Sequence, residues 1–306
     1  MKYRLAVFGV KDTSENIVEF IHKNIRPVDL VITISREVLN RNQVSGFKGL
    51  SVLTEKYGIP VFEADSYFLT DEKTRKFMEE NEFEIAISMG WQRLIPKDVL
   101  DKFQYGVYGF HGNCGYLPFG RGRSPLNWSI IQGDTRFNLN LFRYDENADS
   151  PNVFSTEMFS LTVHDDIRTA QYKNMICSKN LIRKLLKAYE EKNIQIRQES
   201  KDFDSWYMKR TASDGKIDFR GRTRDIYNLI RGVAAPFPGA FAMCAGEKVT
   251  VWEAHPFDEM IDFSAYTPGE VVDVFDGKPV VRTVDGSLLI DRYECRRTIE
   301  AGDILV

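Results

Sequence analysis

His111 is the histidine in this chain whose surroundings best suit chemistry. It follows an apolar run at 105–110 (YGVYGF), typical of a buried strand, and it begins a glycine-rich stretch. Because ligands bind at the carboxyl ends of strands in open α/β sheets, an imidazole here is well placed to act as a general base. The alternative is a loop histidine that only bonds a backbone carbonyl. The other histidines lie in an amphipathic helix or in polar stretches and are expected to be structural: His22, His164 and His255.

Three carboxylates follow the next predicted strand and are candidates to pair with His111: Asp145, Glu146 and Asp149. A carboxylate on a neighbouring loop would orient the imidazole ring, as a general base requires. Acidic clusters after a strand more commonly form surface turns, and that interpretation stays open for each of the three.

Several common reaction classes lack their motifs. Gly9 begins GVKD rather than a dinucleotide-binding GxGxxG, and the chain has no GxxxxGK[ST], no GxSxG after a strand and no HExxH. The four cysteines form no CxxC pair, which argues against a zinc-cysteine site or a disulfide framework and fits a reducing compartment: Cys114, Cys177, Cys244 and Cys295. No metal is expected.

Alternation of apolar runs and helical patterns predicts the first part of the fold. Runs typical of buried strands lie at 3–9, 29–34, 59–62, 83–88 and 105–110, with helical patterns at 16–25, 47–57 and 71–82. This order favours a Rossmann-like parallel sheet with helices on both faces. A helix over 124–131, with Ser124 as N-cap and Pro125 in its first turn, precedes a strand at 137–142 and a helix at 167–193.

A composition shift at 201–206 separates this region from a second one. A helix at 224–233 and short strands near 248–254, 270–275, 278–284 and 287–291 follow it, between Gly and Asp turn signals. We therefore expect two domains: an α/β domain over 1–205 and a smaller, mostly β domain over 206–306.

Charge and hydropathy exclude other classes. The 306 residues include 41 Lys and Arg and 44 Asp and Glu, a net charge of −3 that does not suit bulk binding of nucleic acid or an anionic membrane. No stretch approaches the length of about 18 apolar residues that spans a bilayer, and the N-terminus lacks a signal-peptide pattern. A soluble, cytoplasmic protein is expected.

The region from residue 111 to residue 153 resembles the folate-dependent formyltransferase family, which includes methionyl-tRNA, glycinamide ribonucleotide and nucleotide-sugar N-formyltransferases. HGNCGYLPFGRGRSP and DENADSPNV match, in order, the family's His, Leu-Pro, Arg-Gly, Pro-led helix and Asp. The matching residues are His111, Pro118, Arg121, Gly122, Pro125 and Asp149. The segments YGIPVFEAD, MGWQRL, KRTASDGKIDF and DIYNLIRGVAAPFPGAF are similar to other parts of the family, so the resemblance covers nearly the whole chain.

The resemblance implies direct formyl transfer from N10-formyltetrahydrofolate to an amine, with no metal. His111 would take the amine proton, Asp149 would orient His111, and an amide or backbone N–H would stabilise the tetrahedral oxyanion. Residues implied to bind the folate cosubstrate are Met89, Gly90, Trp91, Gln92, Arg93 and Leu94. Those implied to hold the anionic acceptor are Arg121, Gly122, Arg123, Ser124 and Arg231.

The chain departs from the family at one position. The family has Asn two residues before its His, where this chain has Gly109, and the following loop has two extra residues. In one alignment His111 is the family His and the Asn is lost; in the other, Asn113 stands where the His belongs. We favour His111 as the base and consider Asn113 a possible replacement for the missing polarising amide.

The charge of the C-terminal region and the length of the chain narrow the class of formyl acceptor. Residues 206–306 carry 13 basic and 16 acidic side chains, a poor tRNA-binding surface, and glycinamide ribonucleotide enzymes are usually shorter. A dTDP-, UDP- or GDP-linked amino sugar of the kind used for surface polysaccharides such as the lipopolysaccharide O-antigen is therefore the expected acceptor, with the enzyme a homodimer. The alternatives are a methionyl-tRNA formyltransferase and a relative that binds folate and nucleotide sugar without catalysis.

Overall fold

The computed structural model describes residues 1–42, 49–149, 152–198 and 204–306. Its strands are β1 Lys2–Phe8, β2 Leu30–Ile34, β3 Val61–Ala64, β4 Glu82–Ser88, β5 Phe103–Asn113, β6 Arg121–Gly122, β7 Arg136–Arg143, β8 Asn152–Ser160, β9 Arg197–Gln198, β10 Trp206–Tyr207, β11 Ala240–Cys244, β12 Glu247–Asp258, β13 Val271–Phe275, β14 Lys278–Arg282 and β15 Ser287–Glu294. Its helices are α1 Asp12–Asn24, α2 Arg36–Asn42, α3 Val52–Tyr57, α4 Glu72–Glu79, α5 Lys97–Leu100, α6 Pro125–Ile131, α7 Ile167–Glu190 and α8 Thr223–Gly232, with a 3₁₀ turn at Ala212–Gly215.

The described residues form an eight-stranded sheet in the order β3-β2-β1-β4-β5-β7-β8-β9. The strands from β3 to β5 are parallel, which confirms the predicted sheet, and β7 and β9 pair antiparallel with β5 and β8. Strand β2 is buried along its whole length, as parallel strands covered on both faces are. Aromatic packing of Phe8 against Trp91 and Phe103 fixes the core beside β4 and β5.

Strand β5 extends further than the sequence pattern indicates. The apolar run ends at residue 110, but the strand continues through His111, Gly112 and Asn113, which pair with Asn140, Leu139 and Asn138 of β7. The antiparallel partner supplies the backbone hydrogen bonds, so the glycine-rich composition does not end the strand here. His111 therefore lies on a strand, not at the start of a loop.

Ser124 also differs from its expected role. Helix α6 does begin at Pro125, but Ser124 has a left-handed backbone (φ 56°) and its side chain makes no capping hydrogen bond. By contrast, Asp71 caps α4 in the ordinary way, since its side chain accepts a hydrogen bond from Thr74 N at 2.8 Å.

The remaining differences are shifted element ends and short elements that the sequence pattern does not predict, among them α2 and α5. The helix expected over 47–57 is seen as α3 from Val52, and residues 43–48 lie outside the described part. Helix α7 ends at Glu190 rather than residue 193. Strands β8 and β11 were not predicted. The composition shift at 201–206 falls partly on residues 201–203, which the structure does not describe.

The chain divides into two units by contacts. The first comprises Met1–Arg121, Asn138–Glu157 and Ile176–Ser205, and the second comprises Gly122–Phe137, Met158–Met175 and Trp206–Val306. The chain passes from one to the other after residue 205, where the domain boundary is predicted, but two earlier segments group with the C-terminal residues. The second unit contains a five-stranded antiparallel sheet, β11-β12-β15-β14-β13, with α8 in the same apolar core. No helix in the described ranges is long and apolar enough to cross a membrane.

Candidate active site

A row of polar side chains lies on one face of β5 and β7. Because side chains alternate along a strand, residues 109, 111 and 113 share a face of β5. Their partners across the antiparallel ladder are Phe142, Asn140 and Asn138 of β7. His111 and three asparagines are thus brought together by strand register alone, and all of them belong to the first unit.

His111 is buried, with 7% of its surface exposed, and both ring nitrogens face acceptors. Its Nε2 lies 2.7 Å from the carbonyl oxygen of Gly120, and its Nδ1 lies 3.3 Å from Asp149 Oδ1. A carbonyl oxygen can only accept a hydrogen bond, so Nε2 carries a proton in this arrangement. An ionised Asp149 also only accepts, so a proton on Nδ1 would point at this carboxylate.

Asp149 is the one of the three candidate carboxylates that the structure places against His111. It adopts a left-handed backbone (φ 49°), a conformation that Asp tolerates better than most residues. Asp145 instead forms a turn: its carboxylate accepts hydrogen bonds from Asn147 N at 2.7 Å and Asn152 Nδ2 at 3.0 Å. Glu146 is exposed.

The Asn113 amide is engaged in holding the loop that follows β5. Asn113 is fully buried; its Nδ2 donates to the Phe119 carbonyl and its Oδ1 accepts from Gly115 N at 2.6 Å. From β7, Asn138 Nδ2 donates to the Gly115 carbonyl at 2.6 Å. These bonds fix the loop over 114–120 and leave Asn113 better suited to positioning than to polarising a formyl group.

A tyrosine occupies the space beside Gly109. A Cβ atom built on Gly109 would lie 2.0 Å from the Tyr144 hydroxyl oxygen and 2.2 Å from its Cζ. Tyr144 continues the line of β7, and its backbone N–H donates to the Val107 carbonyl at 2.8 Å. Burial, and to a smaller extent the Asp149 carboxylate, raise the pKa of Tyr144 to about 12, although the Ser88 hydroxyl acts in the opposite direction. Tyr144 has no local sequence pattern that singles it out. It shares a face of the sheet with His111 only through the register of β7 against β5.

The segment 89–94 follows β4 directly, at the carboxyl edge of the sheet. Trp91 belongs to the core, where its ring packs edge-on against Tyr67 at 4.9 Å. The Arg93 guanidinium lies over the rings of Tyr67 (5.0 Å) and Phe68 (5.6 Å). Leu94 and the neighbouring Phe68 are more than half exposed, so they and Arg93 present an accessible surface beside the segment.

The backbone groups of Met89, Gly90 and Gln92 fix the conformation of this segment through contacts with Ser14 and Tyr67. Met89 accepts a hydrogen bond from the Ser14 hydroxyl at 2.6 Å. Gly90 has φ 75°, and a side chain there would approach the Ser14 hydroxyl within 2.9 Å. Gln92 N donates to the Tyr67 hydroxyl at 3.0 Å.

A cavity of about 420 Å³ opens in the first unit beside Tyr144. It is lined by Lys97, Leu100, Asp101, Phe103, Gln104, Gly106, Val107, Arg143, Tyr144, Asp145, Glu146 and Asn147. Its size falls within the range of about 300–1,000 Å³ typical of small-molecule pockets. None of the residues from Met89 to Leu94 lines it.

The expected acceptor-binding residues divide between surface and interior positions. Arg121 pairs with Asp204 at 3.3 Å, and Arg123, which is exposed, donates its backbone N–H to the Tyr207 carbonyl at 3.1 Å. Gly122 has φ 100°, and a Cβ there would meet the Tyr207 carbonyl oxygen at 2.4 Å. In the second unit, Ser124 lines a smaller cavity of about 130 Å³.

Arg231, one of the expected acceptor-binding residues, is buried in the second unit. It is 7% exposed and donates from Nη1 to the carbonyls of Thr162 (3.0 Å) and Asp165 (2.6 Å). Its Nε and Nη2 both donate to Asn228 Oδ1. These donors are therefore occupied within the second unit. Among the described residues, no group of three or more His, Cys, Asp and Glu side chains is arranged to hold a metal ion.

Comparisons with known proteins show similarity in sequence and in fold. A sequence model of the formyl transferase C-terminal domain matches residues 209–305. The bifunctional polymyxin resistance protein ArnA of Wigglesworthia glossinidia brevipalpis is 28% identical over 248 residues, which are 74% of this chain and 36% of that protein.

Two solved structures share the fold. HypX from Aquifex aeolicus, in complex with tetrahydrofolic acid, has a TM-score of 0.65 at 17% identity, covering 96% of this chain and 44% of HypX. An N-formyltransferase from Helicobacter canadensis, in complex with folinic acid and dTDP-3-aminofucose, has a TM-score of 0.68 at 16% identity, covering 94% of this chain and 98% of that chain. The chain spans about a third of ArnA and less than half of HypX. Residues 209–305 thus match the formyl transferase C-terminal domain, and the chain shares the fold of these two structures.

Proposed function

We propose that this protein transfers the formyl group of N10-formyltetrahydrofolate to the amine of a nucleotide-linked amino sugar. The observation that carries the proposal is the buried contact between His111 and Asp149. On the same face of β5, Tyr144 covers Gly109 and also lines the cavity of about 420 Å³. The ligands of the Helicobacter N-formyltransferase, folinic acid and dTDP-3-aminofucose, support both substrates. Tetrahydrofolic acid in HypX supports the cosubstrate alone.

The cavity beside Tyr144 suits the heterocycle of the cosubstrate. Polar side chains on its wall, among them Gln104, Arg143 and Asp145, offer donors and acceptors to a ring that carries both. The exposed Phe68 and Leu94, with Arg93 beside them, offer apolar and cationic surface to the aminobenzoyl-glutamate part. We assign the rest of the segment 89–94 to supporting this surface.

The transfer balances without a further reactant. The amine nitrogen attacks the formyl carbon, a C–N bond forms, and the carbonyl electron pair moves to the formyl oxygen. His111 receives the amine proton, and Asp149 stabilises the resulting imidazolium. The tetrahedral intermediate collapses when the bond to N10 breaks, and the imidazolium returns that proton to N10, so His111 ends the reaction neutral. Because Nε2 is bonded to Gly120 in the structure, acceptance at Nε2 requires the loop 114–120 to release that bond when the amine binds.

The acceptor's phosphates are assigned to the basic segment around Arg121 and Arg123. Arg123 is exposed, and an arginine fork suits phosphate oxygens. Since folate and nucleotide sugars are cytoplasmic metabolites, we place the reaction in the cytoplasm. There a homodimer would prepare amino sugars for surface polysaccharides such as the lipopolysaccharide O-antigen.

The test is an assay of the full chain with N10-formyltetrahydrofolate and a panel of amino sugars linked to dTDP, UDP or GDP. The panel includes 3-amino and 4-amino sugars, and uncharged and methionyl-tRNA are assayed in parallel. We expect a formylated nucleotide sugar and free tetrahydrofolate, both measured by mass spectrometry. Formylation of methionyl-tRNA alone would contradict the proposed acceptor. Folate binding with no transfer to any acceptor would contradict the activity.

A further inference from the structure

We propose that Tyr144 is a catalytic residue of this reaction: its hydroxyl, held in the space above Gly109, donates a hydrogen bond to the formyl oxygen. The inference rests on the proposed function, since it names the group that stabilises the intermediate of that formyl transfer. Acyl transfer to an amine places negative charge on the carbonyl oxygen, and a preorganised donor to that oxygen is commonly worth about 10²–10³ in rate.

The position of Tyr144 follows from strand register. Gly109 lies opposite Phe142, and Tyr144 donates its backbone N–H to the Val107 carbonyl, so Tyr144 faces the same side of the sheet as Gly109 and His111. The hydroxyl reaches diagonally over Gly109, where a Cβ atom would lie only 2.0 Å from it. Gly109 does not have the positive φ that would require glycine. The glycine here leaves room for the phenol.

The neighbouring amides are engaged elsewhere. Side-chain N–H groups of Asn113, Asn138 and Asn140 donate to the carbonyls of Phe119, Gly115 and His111. These bonds hold the loop and the strand end in place. Tyr144, in contrast, lines the 420 Å³ cavity and overlies the position two residues before His111. Because Tyr144 and His111 face the same side of the β5–β7 ladder, we assign the formyl oxygen to the phenol on that side.

The protonation state and the neighbours of Tyr144 suit a donor. With the pKa of Tyr144 raised to about 12 by burial, the phenol keeps its proton throughout the range in which enzymes are assayed. Ser88 pairs with Gly109 in the parallel ladder between β4 and β5. Its hydroxyl acts to lower the pKa of Tyr144, but burial is the larger effect and raises it.

The proton of Tyr144 stays on its oxygen during the reaction. As the amine attacks, charge grows on the formyl oxygen and the hydrogen bond shortens; as the bond to N10 breaks, the charge returns and the bond weakens. His111 handles the transferred proton. Because Tyr144 contributes to the transition state more than to the ground state, its removal is expected to affect kcat rather than KM.

The ring of Tyr144 also packs against Phe142, with ring centroids 5.2 Å apart. The test must therefore distinguish the packing of the ring from hydrogen bonding by its hydroxyl. Tyr144→Phe keeps the ring and removes the hydroxyl. The matched control is Tyr108→Phe: Tyr108 lies on the opposite face of β5, is buried, and donates its hydroxyl to the Tyr105 carbonyl at 3.0 Å. Both variants lose one phenol hydroxyl of raised pKa, but only one of the two lies beside His111.

We expect Tyr144→Phe to lower kcat for formyl transfer by about 10²-fold with a small change in KM, while Tyr108→Phe keeps the parent rate. Thermal unfolding of both variants monitors the fold. Gly109→Ala, whose methyl group would displace the phenol, is expected to lower kcat as well, and the double variant Gly109→Ala/Tyr144→Phe to show no further loss.

Two results would overturn the assignment of Tyr144 while leaving the proposed function intact. One is a kcat for Tyr144→Phe equal to that of Tyr108→Phe, and the other is a fully additive loss in the double variant. If the unaltered chain transfers no formyl group to any amine of the panel, the proposed function and the role of Tyr144 fail together.

Discussion

At the residue scale, the geometry of His111 sets the requirements for the proton transfer. Its two nitrogens face the Gly120 carbonyl and the Asp149 carboxylate, both of which accept hydrogen bonds. A base that starts the reaction must be neutral, so arrival of the amine has to replace the Gly120 contact with its own N–H.

Replacing Asp149 tests the pairing most directly. Asp149→Asn is expected to lower kcat by at least about 10²-fold, because an amide does not stabilise the imidazolium that forms on proton transfer. Asp218→Asn is the control, since that exposed carboxylate pairs with Arg220 in the second unit and has no assigned role in binding or transfer. Initial rates at saturating cosubstrate measure the effect, with circular dichroism to check folding. Equal rates for the two variants would exclude Asp149 from the proton transfer.

His111→Gln is expected to reduce turnover to a similar extent as Asp149→Asn. Residues that act as one unit give losses that do not add, so the double variant His111→Gln/Asp149→Asn should be no slower than the worse single variant. The comparison of kcat among the three variants measures this. A double variant slower by the product of the single losses would show that the two side chains act independently.

At the element scale, the sequence predicts those helices and strands that have a pattern of apolar residues within their own short stretch of chain. The apolar runs of β1, β2 and β4 lie between helical patterns, and the parallel sheet follows from that alternation. The extension of β5 through Asn113 depends on β7, a partner separated in sequence, so no local pattern contained it. The same long-range register brings Tyr144 over Gly109, so no local pattern contained this contact either.

Some of the site was recoverable from the sequence and some was not. The association of His111 with Asp149 followed from order along the chain and from the rule that strand ends carry ligands. The roles of Arg231 and Ser124 did not, because burial and backbone conformation decide them. Arg231 is engaged by Thr162, Asp165 and Asn228, and Ser124 has a left-handed backbone that leaves no capping bond.

Asp165, in the turn before α7, makes the stability of the second unit depend on pH. Burial of Asp165 acts to raise its pKa, but hydrogen bonds from Lys173 and Thr162 outweigh burial and lower it. The unfolded chain therefore binds a proton on Asp165 more readily than the folded one. The stabilisation is fully present above the ordinary Asp value and is lost as pH falls through the lower, folded value. Urea unfolding of the parent and of Asp165→Asn between about pH 6 and pH 3 measures this.

We expect Asp165→Asn to be less stable than the parent at pH 6 and the difference to shrink as pH falls below about 4. The control is Asp218→Asn, an exposed carboxylate paired with Arg220 in the same unit. Because its ion pair lies in solvent, its loss should change stability little at pH 6. A constant gap between parent and Asp165→Asn across the whole range would contradict the assigned direction of the pKa shift.

At the scale of the whole molecule, the two units do not follow one another along the chain. Strands β7 and β8 and helix α7 each contribute residues to both units. The second unit is held together partly by bonds from its early segments to its C-terminal part. Asn127 Nδ2 donates to the Gly232 carbonyl at 2.8 Å, and Arg231 bonds the carbonyls of Thr162 and Asp165. Tyr227 donates its hydroxyl to the Val163 carbonyl at 2.6 Å.

This interleaving predicts the outcome of cutting the chain after residue 205. The shortened chain keeps the residues of the first unit but removes α8, against which Asn127 and the segment 158–175 are packed in the second unit. Ile130, which is fully buried in the intact chain, and the polar backbone groups bonded by Arg231 would lose their partners. Unsatisfied buried polar groups and exposed apolar surface both destabilise a fold. We therefore expect a chain of residues 1–205 to unfold at lower denaturant than the intact protein and to associate, as measured by urea unfolding and light scattering.

Deleting residues 122–137 and 158–175 as well would cut through β7, β8 and α7, so it would damage the first unit too. The informative comparison is Arg231→Met in the intact chain, which removes the same bonds to Thr162 and Asp165 while keeping α8. Hydrogen exchange should then rise in the turn at 162–165 and not in β1, β2 or β4, whose strands belong wholly to the first unit. If residues 1–205 unfold cooperatively at the same urea concentration as the intact protein, the early segments do not depend on the C-terminal part for their stability. The boundary after residue 205 would then separate two independent domains.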